Sequence, residues 1–138
     1  MKCYAAYFDN EIRKQSSSGG IFSLIASYYD VVYGVAMTDD CRSAEFRRMT
    51  DDISLLRGSK YLQAKVGDTF RQVKNDLENG KTVLFSGTGC QINGLKMFLQ
   101  KDYTDLLTVD VICHGTPSPK LWDIYVGYRE SQSGGKLE

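Results

Sequence analysis

The sequence predicts an α/β protein: a mixed sheet with a C-terminal βαβα unit, flanked by helices. Three observations carry this. The second half alternates the runs TVLFSG, CQINGLKMFLQK, LLTVDVICHG and SPKLWDIYVGYRE, and a strand–helix–strand crossover normally leaves its strands parallel. Upstream, VVYGVAMT is a β-branched run suited to a central strand. Between them, GDTFRQVKNDLENGK has helical apolar spacing and closes on a glycine.

Taken in chain order, KCYAAYFDN reads as a first strand ending in an Asp-Asn turn, and EIRKQSSSGG as a polar loop. IFSLIASYYD follows as a helix with a buried stripe of Ile21, Phe22, Leu24, Ile25 and Tyr28, capped by Ser17 or Ser18. After the central strand, AEFRRMT alternates enough to be its edge neighbour. DDISLLRGSKYLQAKV reads as a turn or short helix, then an extended piece through Lys60, Tyr61 and Leu62. In the second half, strands are expected at 82–87 and 106–112, both buried, with Pro119 near the start of the last helix. The tail SQSGGKLE reads as flexible. No internal repeat or dividing linker interrupts the chain, so residues 1–138 are expected to form a single domain.

Composition narrows the function classes. With 17 Lys plus Arg against 17 Asp plus Glu, the chain has no electrostatic footprint for nucleic acid or a membrane surface. No apolar run is long enough to span a bilayer, and MKCYAAYFDNE lacks the apolar core of a signal peptide. A cytoplasmic, reducing setting is therefore the expectation. The four cysteines, at 3, 41, 90 and 113, have no CxxC spacing, and a disulfide framework is not expected in that setting. Cys3 and Cys41 read as ordinary isolated thiols.

Two cysteines have more context. If the strands ending near Cys90 and Cys113 are parallel neighbours, both thiols lie on the sheet edge where open α/β folds bind ligands. Adjacent strands are roughly 4.8 Å apart, so a common ligand is within reach. Cys90 stands where a helix begins, with Thr88 as a potential cap. Free N–H groups and the helix dipole favour a thiolate at such a position. Metal ligation, redox chemistry, a reactive thiol or a small filler in a tight bend all remain open for Cys90. Cys113 is followed by His114, the single histidine. A closed four-ligand zinc site is disfavoured by the spacing. Elsewhere, SSSGG opens a helix with Arg13 and Lys14 nearby, and RGSKY combines cations, a hydroxyl, a glycine and an aromatic ring. Both suit a phosphate or a planar ligand, and both also read as solvated turns.

In order, SSSGGIFSLIA, RGSKYLQA, VLFSGTGCQINGL and DVICHGTPSPKLW resemble the coenzyme F420 hydrogenase/dehydrogenase beta-subunit family over almost the whole chain. The resemblance implies an electron-transfer oxidoreductase component using FAD and [4Fe–4S] clusters. It makes Ser16, Ser17, Ser18, Gly19 and Gly20 part of the FAD-binding loop, Arg57, Ser59, Lys60 and Tyr61 a second flavin contact, and Cys90 and Cys113 cluster ligands. It implies coenzyme F420, a ferredoxin or another redox partner protein as the electron partner.

Three departures stand out. Gly89 occupies a position where the family usually has proline. Against the family pattern, an N-terminal ferredoxin-like segment and the C-terminal part are expected to be missing, so that the chain corresponds to the N-terminal and central portion of a longer pattern. Its cysteines are then expected to build only an incomplete cluster. The alternative is a non-catalytic fragment or scaffold that docks on a partner subunit without cofactor, or dimerises through surface left exposed. A third reading makes Cys90 a nucleophile with His114 as its base.

Overall fold

The computed structural model describes residues 2–136. Its elements are helix α1 (Asn10–Lys14), helix α2 (Ile21–Ala26), strand β1 (Val31–Met37), strand β2 (Ala44–Met49), a 3-10 turn (Ser54–Leu56), strand β3 (Ala64–Lys65), helix α3 (Thr69–Glu78), strand β4 (Val83–Thr88), helix α4 (Gly89–Leu99), strand β5 (Leu106–Val111) and helix α5 (Pro119–Ser133). The five strands form one mixed sheet in the order β3-β2-β1-β4-β5. β1 pairs antiparallel with β2 and parallel with β4, and β4 pairs parallel with β5. The predicted α/β class, the central place of VVYGVAM and the parallel crossover of the second half are all borne out.

The alternation of β1 and β4 builds two cores, one on each side of the sheet. Val31, Tyr33, Val83 and Phe85 face one side and pack with Val73 and Leu77 of α3 and Ile92, Leu95 and Leu99 of α4. The rings of Phe46 and Phe85 stack there, 5.0 Å apart. Val32, Ala36 and Leu84 face the other side, against Ala26 of α2 and Leu56 of the 3-10 turn. The result is three layers, with α3 and α4 beneath the sheet and α2 above it. Thr88 and Gln91 form a capping box at the start of α4, in which the Thr88 N–H donates to Gln91 Oε1 at 2.9 Å.

Several expectations are corrected. Residues 2–9 form no strand; they lie on the surface, and the Phe8 N–H donates to Gly19 O at 2.8 Å. The expected loop EIRKQ is mostly helix, because the Asp9 carboxylate accepts from the Glu11 and Ile12 N–H groups and starts α1. The N-cap of α2 is Gly20, at φ 75°, with no side-chain cap; neither Ser17 nor Ser18 fills that role. The stripe on α2 is partial: Ser23 and Ala26 are its buried residues, and Tyr28 lies beyond the helix, 76% exposed. β5 is an edge strand that stays partly exposed along its length, and it ends at Val111, leaving Ile112 84% exposed. The edge neighbour role of AEFRRM is shared, because the two-residue β3 pairs with Ala44 and Glu45. α5 continues through Ser133, so the expected tail is shorter than SQSGGKLE; Leu137 and Glu138 of that tail lie outside the described residues.

Candidate functional site

The site begins with sheet parity. Gly34 of β1, Ser86 and Thr88 of β4, and Val109 and Val111 of β5 lie on the α2 side, in register with Val32, Leu84 and Leu107. Over them opens a cleft of about 550 Å³. Its other walls are the Ser16–Gly20 loop, the Arg57–Leu62 stretch, and the Ile112–Thr116 connector that leaves β5. All nine residues predicted for the flavin therefore line one cavity: Ser16, Ser17, Ser18, Gly19, Gly20, Arg57, Ser59, Lys60 and Tyr61.

Local chemistry explains why the first two walls meet. The Ser59 N–H donates to Ser17 Oγ at 2.8 Å. Arg57 reaches across with two donors, Nε to Ser23 Oγ at 3.2 Å and Nη1 to Gln15 Oε1 at 2.6 Å. Lys60 turns inward instead, and its Nζ donates to Leu55 O at 2.9 Å and Arg57 O at 2.5 Å. Burial lowers the pKa of that ammonium, while the two carbonyls accept its hydrogen bonds. Lys60 thus closes the end of the 3-10 turn, a role the motif did not reveal. Tyr61 is 78% exposed, an open aromatic face at the wall. Gly19 sits where an added Cβ would collide with the Ala6 carbonyl, so the segment at residues 2–9 lies directly on the serine loop.

The two predicted metal ligands part company. Cys113 lines the cleft with His114, and its sulfur accepts from the Gly115 N–H at 3.3 Å. Cys90 is exposed on the first turn of α4, outside the cleft lining, with its sulfur 3.1 Å from Thr88 Oγ1. Among the described residues, no group of three or more His, Cys, Asp or Glu could hold a metal ion. The residues present do not by themselves fit a four-thiolate cluster. The sulfur contact of Cys90 is with Thr88, not with the histidine that the nucleophile reading needs. At Gly89, an added Cβ would meet the exposed Asp110 carboxylate at 3.1 Å, so the turn carries glycine where that carboxylate approaches the helix start.

Gln15, Ser23, Gly34 and Gln91 belong to this region and were not singled out from the sequence. For Gln91 the signal was present, since Thr88-x-x-Gln91 is a capping-box pattern. For Gly34 it was a lone glycine inside a strand run. Gln15 carries no local signal, because its partner Arg57 is 42 residues away.

This arrangement defines an open α/β fold with a cleft at the carboxyl ends of parallel strands, the edge where such sheets bind ligands. Residues 80–133 match the family described as the C terminus of the coenzyme F420 hydrogenase/dehydrogenase beta subunit. The resemblance read from the sequence is borne out by this match, which covers the stretches VLFSGTGCQINGL and DVICHGTPSPKLW; over residues 80–133 the chain is similar to the coenzyme F420 hydrogenase/dehydrogenase beta-subunit family. A chain of the F420-reducing [NiFe] hydrogenase complex from Methanosarcina barkeri, in a xenon-derivatised structure, shares the fold. The TM-score is 0.67 at 21% identity, covering 93% of this chain and 49% of that one. This chain thus spans about half the length of that relative. No curated protein matches it. No helix among the described residues is long and apolar enough to cross a membrane.

Proposed function

We propose that the chain is a flavin-binding component of a redox system, with FAD in the cleft between the serine loop and the Arg57–Tyr61 stretch. One observation carries this: SSSGG and RGSKY, far apart in sequence, form facing walls of a single cavity. Its volume of about 550 Å³ falls within the roughly 300–1,000 Å³ of small-molecule sites. The bound flavin supplies reversible hydride and electron exchange. The chain's own residues bind and orient it. Within the Ser16–Gly20 loop, Ser17 and Ser18 offer hydroxyl donors to phosphate, Arg57 offers positive charge, and Tyr61 an aromatic face.

The electron partner in this reading is coenzyme F420, a ferredoxin or another redox protein, in the cytoplasm. Cys90 and Cys113 are proposed as two ligands of a [4Fe–4S] cluster whose other donors come from outside the described residues; no step of the proposal passes through it. A second reading, a docking domain without cofactor that can also pair with its own copy, is favoured by one feature. Ile112, Leu121, Ile124 and Tyr128 are 57–84% exposed, an apolar surface suited to a partner.

Anaerobic titration with FAD, followed by quenching of flavin fluorescence, tests the flavin reading. Saturable quenching is expected, weakened about three- to ten-fold by Tyr61→Ala as stacking is lost. Unquenched FAD at all protein concentrations would leave the docking reading.

A further inference from the structure

We propose that Gln15 is a positioning residue: with Ser23 it aims the remaining edge of the Arg57 guanidinium into the cleft, onto a phosphate of the bound nucleotide. The inference rests on the flavin reading above. Arg57 lines the cleft, whereas Gln15 lies outside its lining. Gln15 Oε1 accepts from Nη1 at 2.6 Å and Ser23 Oγ from Nε at 3.2 Å. A guanidinium is planar and its five donors have fixed directions. Holding two of its nitrogens fixes the plane, and with it the direction of Nη2. Among the described residues, Nη2 has no hydrogen-bond partner, so that edge is left for a ligand.

Charge in the neighbourhood sharpens the point. Lys60 spends donors on Leu55 O and Arg57 O, so Arg57 carries the cleft's directed positive charge. Asp52 is the nearby carboxylate whose field Arg57 already shares. Without Gln15, Ser23 alone holds the guanidinium and its plane is no longer fixed. An Nη2 group so held suits a directed, charge-assisted hydrogen bond to a phosphate oxygen, where geometry matters as much as charge.

The test compares FAD, FMN and riboflavin, the last lacking phosphate, by equilibrium binding to the whole chain and two variants. Gln15 is exposed, so its replacement leaves the core untouched. Gln15→Ala is expected to weaken FAD and FMN about five-fold and leave riboflavin unchanged. Gln15→Glu, which sets a carboxylate against Arg57, is expected to weaken the two nucleotides more. Equal loss for riboflavin and FAD would reduce Gln15 to a general structural role and overturn the inference, as would no loss at all. A wild-type chain that binds riboflavin but neither nucleotide more tightly overturns it while leaving the flavin reading standing. Binding of none of the three defeats both.

Discussion

The backbone N–H of Ser59 donates to the hydroxyl of Ser17 at 2.8 Å, across 42 residues of chain. This bond joins the two facing walls of the cleft directly, at a point where both residues are exposed to solvent. Ser17→Ala should therefore cost only about 0.5–1.5 kcal/mol of stability. Its clearer effect should be local: faster hydrogen exchange at the Ser59 amide and weaker FAD binding. An unchanged exchange rate at that amide would mean that the two walls are not joined in solution.

Asp76 is the hub of the main buried polar network. Its Oδ2 accepts from Tyr33 Oη at 2.6 Å and Arg48 Nε at 2.7 Å, and its Oδ1 from Arg48 Nη2 at 2.9 Å. Hydrogen bonds from Arg48 lower its carboxyl pKa from 3.8 to about 2, overcoming the opposing effect of burial. Burial, and then the bond to Asp76, push the Tyr33 phenol above its ordinary range. A carboxyl more acidic in the folded than in the unfolded chain stabilises the fold fully above pH 4. That contribution, about 2 kcal/mol, is lost as pH falls from about 4 toward 2. Asp76→Asn should remove it and flatten the stability profile over that window, measured by urea unfolding at stepped pH. A wild-type profile with no acid limb there would refute the role given to Asp76.

Gly34 faces Leu56, and a Cβ at Gly34 would lie 3.1 Å from Leu56 Cδ1. Leu56 is the last residue of the 3-10 turn that leads into Arg57. Gly34→Val should cost about 1–3 kcal/mol by overpacking and shift the Arg57–Tyr61 wall. Thermal melting and FAD titration on the same sample check both effects, with Gly34→Ala intermediate. A valine variant that melts like wild type would show that this contact yields more easily than described.

Legibility in the sequence followed the range of the forces involved. The alternation of VVYGVAM, the β4–α4–β5 crossover and the close of α3 near Gly80 were readable because period and capping are local. KCYAAYF misled for the complementary reason. Its residues suit a strand, but a strand needs a neighbouring edge to pair with, and residues 2–9 share one backbone bond with the serine loop. LLTVDV looked buried because a parallel strand usually is, yet nothing described covers β5 on its outer edge.

By itself, the sequence determined the fold class, the order of the main elements and the four motifs that carry the family resemblance. It also marked nine residues of the two motifs that came to line the cleft, though not Gly58, which lines it with them. Only the tertiary structure decided how those groups are spent. Arg57 is held by Gln15 and Ser23, Lys60 is turned onto carbonyls of its own turn, and Cys90 stands outside the cavity that Cys113 lines. Residue type sets which hydrogen bonds a side chain is able to make. Which ones it makes depends on what the sheet brings within about 3 Å, and that distance is a property of the fold.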